Sequence, residues 1–341
     1  MLFAFGSNGS GQLGVGHTDD TSKPEPSHAV NPGDDKIDAI VAGGNHTSIL
    51  FANGFCKGFG IEGHTLFEND GSHGLFSKAS TTWSASFYVN QDGLVLCRGE
   101  GSNGELGCGK DVLLSKDFVY NISLDCRVVH ITSSMAHTVA VLENGQVWGW
   151  GNGRKGQLGQ PSSIVWTPRK IEGIGFHAVN SICGKDFTCI IGKQDELLIL
   201  GLDKNDRFGI KRDAPDRVPP HTIAIAASWG SIYMLKEDGE LLAWGRNDHG
   251  QLPPPNLPPI RAIAAGSEHC LALTKAGQVL AWGWGEHGNC GQPVDENGDV
   301  KNRWNEIEVD GCVSKIFAGC ATSFIIAQDE CKIDSSRLDM D

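Results

Sequence analysis

Short apolar stretches alternate with turns along the whole chain, and the same arrangement returns at intervals. Residues 131–151 and 263–283 align without a gap, and each contains an apolar stretch, a turn that ends in Gly and a second apolar stretch. Apolar runs of this length, bounded by turn residues, predict β-strands rather than helices. Each copy is therefore predicted to contain a β-hairpin.

Seven copies of this pattern are found when the register is held and moved along the chain. They begin at Ile40, Ala79, Ile131, Ile182, Ile225, Ile263 and Ile316. A polar or small residue follows each start by six positions, at His46, Ala85, His137, Thr188, Ser231, His269 and Thr322. Most of the predicted hairpins turn at Asn-Gly, Asp-Gly or a similar dipeptide, which tolerates positive φ in a tight turn.

The repeat length and the chain ends together predict the fold class. Seven copies in 341 residues give a repeat of about fifty residues, which fits a four-stranded propeller blade. The seventh copy stops near residue 330, and residues 3–14 supply the missing half at the other end of the chain. We therefore predict an all-β, seven-bladed β-propeller over residues 1–330, closed by pairing of its N- and C-terminal strands, which leaves no open sheet edge.

Segments outside the repeated pattern give weaker predictions. Residues 112–129 and 292–313 are long links between copies, and they are predicted to form protruding loops or additional outer strands. Residues 331–341 are polar and of mixed charge, so a disordered tail is expected there.

Composition narrows the classes of function. The formal net charge of −13 argues against direct binding of nucleic acid, which needs clustered Lys and Arg. No stretch is apolar and long enough to span a membrane, and the N-terminus lacks the basic region of a secretory signal. The eleven cysteines are scattered without a Cys-x-x-Cys pair, which favours reduced, buried thiols. A cytoplasmic protein is expected, and a nuclear location is left open.

Several segments imitate catalytic or nucleotide-binding motifs. Residues 99–104 satisfy the Gly-x-Gly-x-x-Gly fingerprint, but no helical pattern follows them. Residues 104–110 resemble a phosphate-binding loop, yet Asp111 stands where Ser or Thr is needed. Both are interpreted as turns between strands. No cofactor is predicted, and an enzyme with a cryptic site is a distant third hypothesis.

The twelve histidines show no spacing typical of a metal site. His46, His137 and His269 share one position of the repeat, which favours hydrogen bonding within the inner loop over metal binding or general-base chemistry. We predict neither catalytic nor metal-binding residues.

Two tryptophans stand out from the repeat alignment, and they are our candidate partner-binding residues. Trp83 and Trp229 lie two residues before the aligned polar position. The other copies place Gly44, Met135, Asp186, Ser267 and Cys320 there. Large aromatic side chains on one face of a ring are typical interface anchors. The alternative, packing between blades, stays open at this point.

Packing within the blades is expected for Trp148, Trp150, Trp244, Trp282 and Trp284.

The phrase Gly-x-Asn/Glu-x-x-Gly-Gln-Leu-Gly resembles the regulator of chromosome condensation repeat. It occurs at residues 6–14, 99–107 and 151–159, and more loosely at 245–252 and 283–291. The resemblance implies the propeller fold. It leaves the function open, because this family includes exchange factors, photoreceptors, ubiquitin-ligase scaffolds and adaptors.

A narrower resemblance points to the fungal α-tubulin suppressor branch of that family. It is carried by residues 3–9, 12–17, 32–35 and 42–46, together with Trp83. This resemblance implies a non-catalytic subunit that forms a heterodimer with a small zinc- or iron-binding protein of the diphthamide pathway. Such a pair supports diphthamide synthesis on elongation factor two and the modification of tRNA wobble uridine by Elongator. The alternative hypothesis is a guanine nucleotide exchange factor or regulator for a Ran-type small GTPase.

Overall fold

The computed structural model describes residues 1–30, 34–60, 67–68, 73–122, 124–202 and 204–328. These ranges contain 26 β-strands and no α-helix, and so no helix that could cross a membrane. The predicted tail at residues 331–341 lies outside the described residues. The strands form seven antiparallel sheets, which are the blades of a β-propeller, as predicted.

Each blade consists of consecutive strands that run from the ring axis outward. Blade 1 contains β3 (Ile37–Ala42), β4 (His46–Phe51), β5 (Cys56–Gly60) and β6 (Phe67–Glu68). Blade 2 contains β7 (Phe76–Thr81), β8 (Ala85–Asn90), β9 (Val95–Glu100) and β10 (Leu114–Ile122). Blade 3 contains β11 (Val128–Ser134), β12 (His137–Leu142), β13 (Val147–Asn152) and β14 (Ile164–Lys170).

The remaining blades follow the same order, and the last one draws on both ends of the chain. Blade 4 contains β15 (Ala178–Cys183), β16 (Phe187–Gly192) and β17 (Leu197–Gly201). Blade 5 contains β18 (Thr222–Ala227), β19 (Ser231–Lys236) and β20 (Leu241–Gly245). Blade 6 contains β21 (Ile260–Ala265), β22 (His269–Thr274), β23 (Val279–Trp284) and β24 (Asp299–Ile307). Blade 7 contains β25 (Cys312–Ala318), β26 (Thr322–Gln328), β1 (Leu2–Gly6) and β2 (Thr21–Pro26).

The ring closes in blade 7 as the sequence predicts. Strand β1 lies between β26 and β2, and its register with β26 runs from the pair Leu2 and Ile326 to the pair Gly6 and Thr322. The two long links supply outer strands, β10 and β24, which confirms the second of the two alternatives for those segments.

Blades 4 and 5 differ from the prediction. Within the described residues each has three strands instead of four. The register in blade 4 is also shifted, because Ser181 pairs with Ile190 just as Ile40 pairs with Ile49 in blade 1. The fourth copy therefore begins at Ser181. Ser181 is a fully buried polar residue. The sequence alignment placed the start of this copy at the apolar residue Ile182 instead, one position too late.

This shift changes the equivalent residues of blade 4. Its second strand begins at Phe187, so Phe187 and not Thr188 occupies the position of the shared histidines. Two residues earlier stands Lys185, where the sequence alignment had placed Asp186. Among the tryptophans assigned to blade packing, Trp150 and Trp282 are fully buried, which confirms that prediction for both.

The recurring Gly-Gln-Leu-Gly phrase is a turn that its own side chains stabilise. Gln12 accepts a hydrogen bond from the backbone N–H of Ser10 at 2.8 Å, and Gln157 accepts one from Lys155 at 2.9 Å. The Leu of each phrase is buried below the turn, as at Leu13, Leu106 and Leu158. The Gln and the Leu of the phrase therefore stabilise the turn, which explains why the phrase recurs with the fold.

Within the described residues, nine cysteines are reduced as predicted, but Cys108, Cys126 and Cys320 are half-buried and not buried. Free thiols are found at Cys56, Cys97, Cys108, Cys126, Cys183, Cys189, Cys270, Cys290 and Cys320. Cys312 is disulfide-bonded. The expectation of reduced thiols is therefore wrong for Cys312.

Two of the three shared histidines join neighbouring blades. His137 Nε2 lies 3.0 Å from Thr188 Oγ1, and His269 Nε2 lies 3.0 Å from Ser323 Oγ. Burial lowers the pKa of each ring, and likewise of His46, to about 4, so all three are neutral at pH 7. Hydrogen bonding is thus confirmed for His137 and His269, but their partners lie in the second strand of the next blade and not within the inner loop, where the sequence placed them.

Candidate functional site

The loops that enter the second strand of each blade meet around the ring axis on one face, and backbone hydrogen bonds link them. In blades 1 to 3, the N–H of Gly44 donates to the carbonyl of Trp83 at 2.8 Å, and the N–H of Trp83 donates to Met135 at 2.9 Å. A second run links blades 4 to 7, from Lys185 to Trp229, from Trp229 to Ser267, and from Ser267 to Gly319. The loop backbone is thereby held in place by the neighbouring blades.

The two candidate tryptophans meet across this axis. Trp83 belongs to blade 2 and Trp229 to blade 5, yet their ring centroids are only 6.0 Å apart, with an angle of 40° between the planes. Trp83 is 38% exposed, and Trp229 is half-buried. The sequence left interface anchoring and packing between blades open. The structure places both rings at the mouth of the ring, in contact with each other.

The neighbours of the tryptophan pair explain how the rings fit. A Cβ atom at Gly44 would lie 2.4 Å from Cε2 of Trp83, so the ring of Trp83 rests directly on that glycine. On the other side, the ammonium of Lys185 lies 5.2 Å from the ring centroid of Trp229, which is within range of a cation–π interaction. We call Trp83, Trp229, Lys185 and Gly44 the mouth cluster.

Two cavities adjoin the mouth cluster. One of about 190 Å³ lies on the axis and is lined by residues from the innermost strands of all seven blades, most of them small. The other, of about 260 Å³, lies between blades 4 and 5 and is bounded by Trp229, Lys185, Phe208 and Arg246. The mouth cluster therefore belongs to a larger concave surface.

Charged groups rim the second cavity. Arg246 contacts Glu268 at 2.5 Å and Asp248 at 2.6 Å. Burial raises the pKa of Glu268, and its hydrogen bond from Gln251 opposes that shift. An aromatic centre with charged groups at its edge is the usual arrangement of a protein-binding surface. Within the described ranges, no three His, Cys, Asp or Glu side chains are placed to hold a metal ion.

Substituting Gly44 with Ala is expected to displace Trp83 while the propeller stays folded. The backbone of Gly44 needs no positive φ, so only the contact with the ring changes. The near-ultraviolet circular dichroism of the tryptophans should change, whereas the free energy of unfolding should fall by no more than about 1 kcal/mol.

The matched control for this variant is Gly9→Ala, because a Cβ at Gly9 meets no atom within 4 Å. The spectral effect of Gly44→Ala should also disappear in a Trp83→Ala background. An effect of the same size in both backgrounds would contradict the contact between Gly44 and Trp83.

Comparisons with known proteins agree with this architecture. The family model of the RCC1-like domain matches residues 1–326. An RCC1 repeat-containing protein of Schizosaccharomyces pombe is 30% identical over 364 residues, which cover 97% of this chain and 100% of that protein. The mouse secretion-regulating guanine nucleotide exchange factor is 25% identical over 287 residues, 74% of this chain and 61% of its own length.

Solved structures share the fold at lower sequence identity. Prp20p of Saccharomyces cerevisiae, studied together with its binding to Gsp1p and histones, superimposes with a TM-score of 0.81 at 21% identity. That match covers 95% of this chain and 90% of Prp20p. Human WBSCR16 superimposes with a TM-score of 0.75 at 18% identity, and the match covers 96% and 99% of the two chains.

Proposed function

Because this chain belongs to the RCC1-like domain family, we propose that it is a non-catalytic adaptor or regulatory subunit that binds a partner protein through its mouth cluster. The observation that carries the proposal is the pair formed by Trp83 and Trp229 at the centre of one face. A tryptophan that is 38% exposed retains a large apolar area that a partner could cover.

The geometry of the mouth cluster supports a preorganised binding surface. Trp83 and Trp229 each donate and accept a backbone hydrogen bond with a neighbouring blade, so their Cα positions are fixed before a partner arrives. A rigid aromatic anchor loses little conformational entropy on binding, which favours affinity. The charged rim around Arg246 and Glu268 would then select the partner by complementary charge.

The finer form of the proposal concerns the partner. We propose a heterodimer with a small cysteine-metal protein of the diphthamide pathway, through which this chain supports diphthamide synthesis and Elongator-dependent modification of tRNA. Support comes from the resemblance of residues 3–9, 12–17 and 42–46 to the α-tubulin suppressor branch. This form of the proposal places the protein in the cytoplasm.

The second candidate function is guanine nucleotide exchange on a small GTPase. It is favoured by the 25% identity with the mouse secretion-regulating guanine nucleotide exchange factor. That alignment spans about three fifths of the length of the mouse protein, so an exchange activity of this chain is a proposal of its own.

The two candidates are distinguished by what binds the protein in its own cells. The tagged chain is purified at mild salt, and proteins present in stoichiometric amount are identified by mass spectrometry. A small cysteine-rich metal protein, with diphthamide or Elongator components, supports the adaptor. A small GTPase without these, whose GDP release the purified chain accelerates, supports the exchange factor.

The mouth cluster is tested with the partner so identified. Trp83→Ala or Trp229→Ala should weaken binding by about 2 kcal/mol or more, close to thirtyfold in the dissociation constant, as measured by isothermal titration calorimetry. Thermal unfolding should change little, because neither ring is fully buried.

The matched control is Trp166→Ala, which removes a half-buried tryptophan from the outer strand β14. Unchanged affinity in both mouth variants would rule out this surface. An equal loss of affinity in the control would show that the effect is not specific to the mouth cluster.

A further inference from the structure

Two thiols of blade 2 lie side by side, in a place that the proposed function does not use. Cys97 is in β9, and Cys108 is in the turn that follows this strand. Their sulfur atoms are 3.5 Å apart. Cys97 is fully buried, whereas Cys108 is half-buried and reaches the surface.

Blade 7 shows that packing alone does not require these thiols. Gly99 and Gly6 are equivalent, because each pairs with the first residue of the second strand in its blade. In that alignment Cys97 corresponds to Ala4, and Cys108 corresponds to Val15. Both equivalents are buried apolar residues. Ordinary side chains therefore fill the same two positions elsewhere in the ring.

We propose that Cys97 and Cys108 form a reversible redox site, in which a hydroperoxide oxidises the two thiols to an intramolecular disulfide. A disulfide needs the two sulfur atoms about 2.05 Å apart, so they must approach each other by about 1.5 Å. Gly107 and Gly109 flank Cys108 and both have positive φ, and glycine offers the conformational freedom that a small movement of the turn requires.

The environment assigns different roles to the two cysteines. The hydrogen bond from Cys97 lowers the pKa of Cys108, against the effect of burial. The same hydrogen bond, followed by burial, raises the pKa of Cys97. As a thiol, Cys108 can instead donate to the carbonyl of Leu106, at 3.3 Å. Cys108 is thus the sulfur that ionises first and that solvent reaches, which makes it the attacking nucleophile.

The proposed reaction balances with hydrogen peroxide as the hydroperoxide. Cys108 first releases its thiol proton, and the thiolate attacks one peroxide oxygen. The O–O bond breaks and hydroxide leaves and takes up that proton as water, so that Cys108 becomes a sulfenic acid. The sulfur of Cys97 then attacks the sulfur of Cys108. The S–O bond breaks, the S–S bond forms, and the thiol proton leaves with the hydroxyl group as water. Two electrons pass from the two sulfurs to the peroxide, and two thiols and one peroxide give one disulfide and two waters.

Oxidation would affect the junction between blades 2 and 3. The N–H of Gly109 donates to the carbonyl of Trp166 in blade 3 at 2.9 Å. A Cβ at Gly107 would lie 2.9 Å from the ring of Trp150, which also belongs to blade 3. The turn with Cys108 therefore lies against its neighbour, and a disulfide to β9 would fasten this junction.

The test uses the full-length reduced protein and hydrogen peroxide. After brief exposure to a small excess of peroxide, peptide mapping by mass spectrometry should find Cys97 joined to Cys108. Cys126 is the internal control, since it is also a half-buried thiol, in the link that follows blade 2. Cys108 should be oxidised at least tenfold faster than Cys126, and thiol reductant should restore the starting mass.

Two variants, each carrying the equivalent residue of blade 7, distinguish the attacking role of Cys108 from the role of Cys97 in forming the disulfide. In Cys97→Ala, Cys108 loses the hydrogen bond that lowers its pKa, so its sulfenic acid should form more slowly but should then persist and be trapped by dimedone. In Cys108→Val, Cys97 should stay unoxidised over the same time. Equal oxidation rates for Cys108 and Cys126 in the wild-type protein would overturn the proposal, and this measurement needs neither variant. Rapid oxidation of Cys97 in Cys108→Val would overturn the assignment of the nucleophile.

Discussion

Between pH 7 and pH 5 the protein is expected to lose a large part of its free energy of unfolding through His46, His137 and His269. Burial lowers the pKa of each to about 4, whereas an exposed histidine in the unfolded chain titrates near pH 6.5. Between pH 6.5 and pH 4 the three histidines therefore bind protons in the unfolded state but not in the folded state. Stability is complete above pH 6.5 and falls as the pH drops through the window from 6.5 to 4. By linkage each histidine removes about 2 kcal/mol at pH 5.

Chemical denaturation at a series of pH values measures this loss. In His137→Gln, the difference in unfolding free energy between pH 7 and pH 5 should be smaller than in the wild-type protein by about 2 kcal/mol. The comparison within one variant removes any effect of the substitution at pH 7. His221→Gln is the control, because the side chain of His221 is 75% exposed. If His137→Gln kept the wild-type pH dependence, the buried ring would not be its source.

Replacement of Gly151 with Ala is expected to destabilise the protein by roughly 3 to 5 kcal/mol, or to prevent folding. Gly151 ends the pairing of β13 with β12 at a φ of +98°, which side chains other than glycine rarely adopt. A Cβ there would also lie 2.4 Å from the carbonyl oxygen of Ala136. The same close contact with a loop carbonyl recurs at Gly6, Gly60, Gly201, Gly245 and Gly283.

The variant Gly277→Ala separates the effect of backbone strain from the effect of the contact with the carbonyl oxygen. Gly277 has a similar φ of +92°, but a Cβ there would meet no atom within 4 Å. Backbone strain alone should cost this variant about 1 to 2 kcal/mol. Thermal and chemical unfolding should therefore place Gly151→Ala at least about 1 kcal/mol below Gly277→Ala. Equal stability of the two variants would show that the carbonyl contact relaxes without cost.

Much of the fold follows from the sequence because its determinants are local. The hairpin turns, the Gly-Gln-Leu-Gly phrase and the half-repeats at the two ends each mark a short stretch of chain. The predicted register of blade 4 is wrong because this local pattern fails there: the first position of the copy is the buried polar residue Ser181. The sequence did not predict that the described residues of blades 4 and 5 form only three strands each. An outer strand has one neighbour and less burial, so its sequence pattern is the weakest in a blade.

The site required the three-dimensional structure. Repeat alignment places Trp83 and Trp229 at one position, but their contact depends on how seven blades close around an axis. The mouth cluster also includes Lys185, which the shifted register of blade 4 concealed. For Cys97 and Cys108, the approach of the sulfurs depends on the conformation of the turn between them. Sequence alone shows only that both residues are cysteines.

The backbone hydrogen bonds at the mouth of the ring form two runs, one over blades 1 to 3 and the other over blades 4 to 7. Trp83 belongs to the first run and Trp229 to the second, so their side-chain contact connects two arcs of the propeller. In amide hydrogen exchange, the N–H groups of these two residues exchange only when a junction between blades opens. Slower exchange of these two amides in the presence of a bound partner would therefore show that binding makes the ring more rigid.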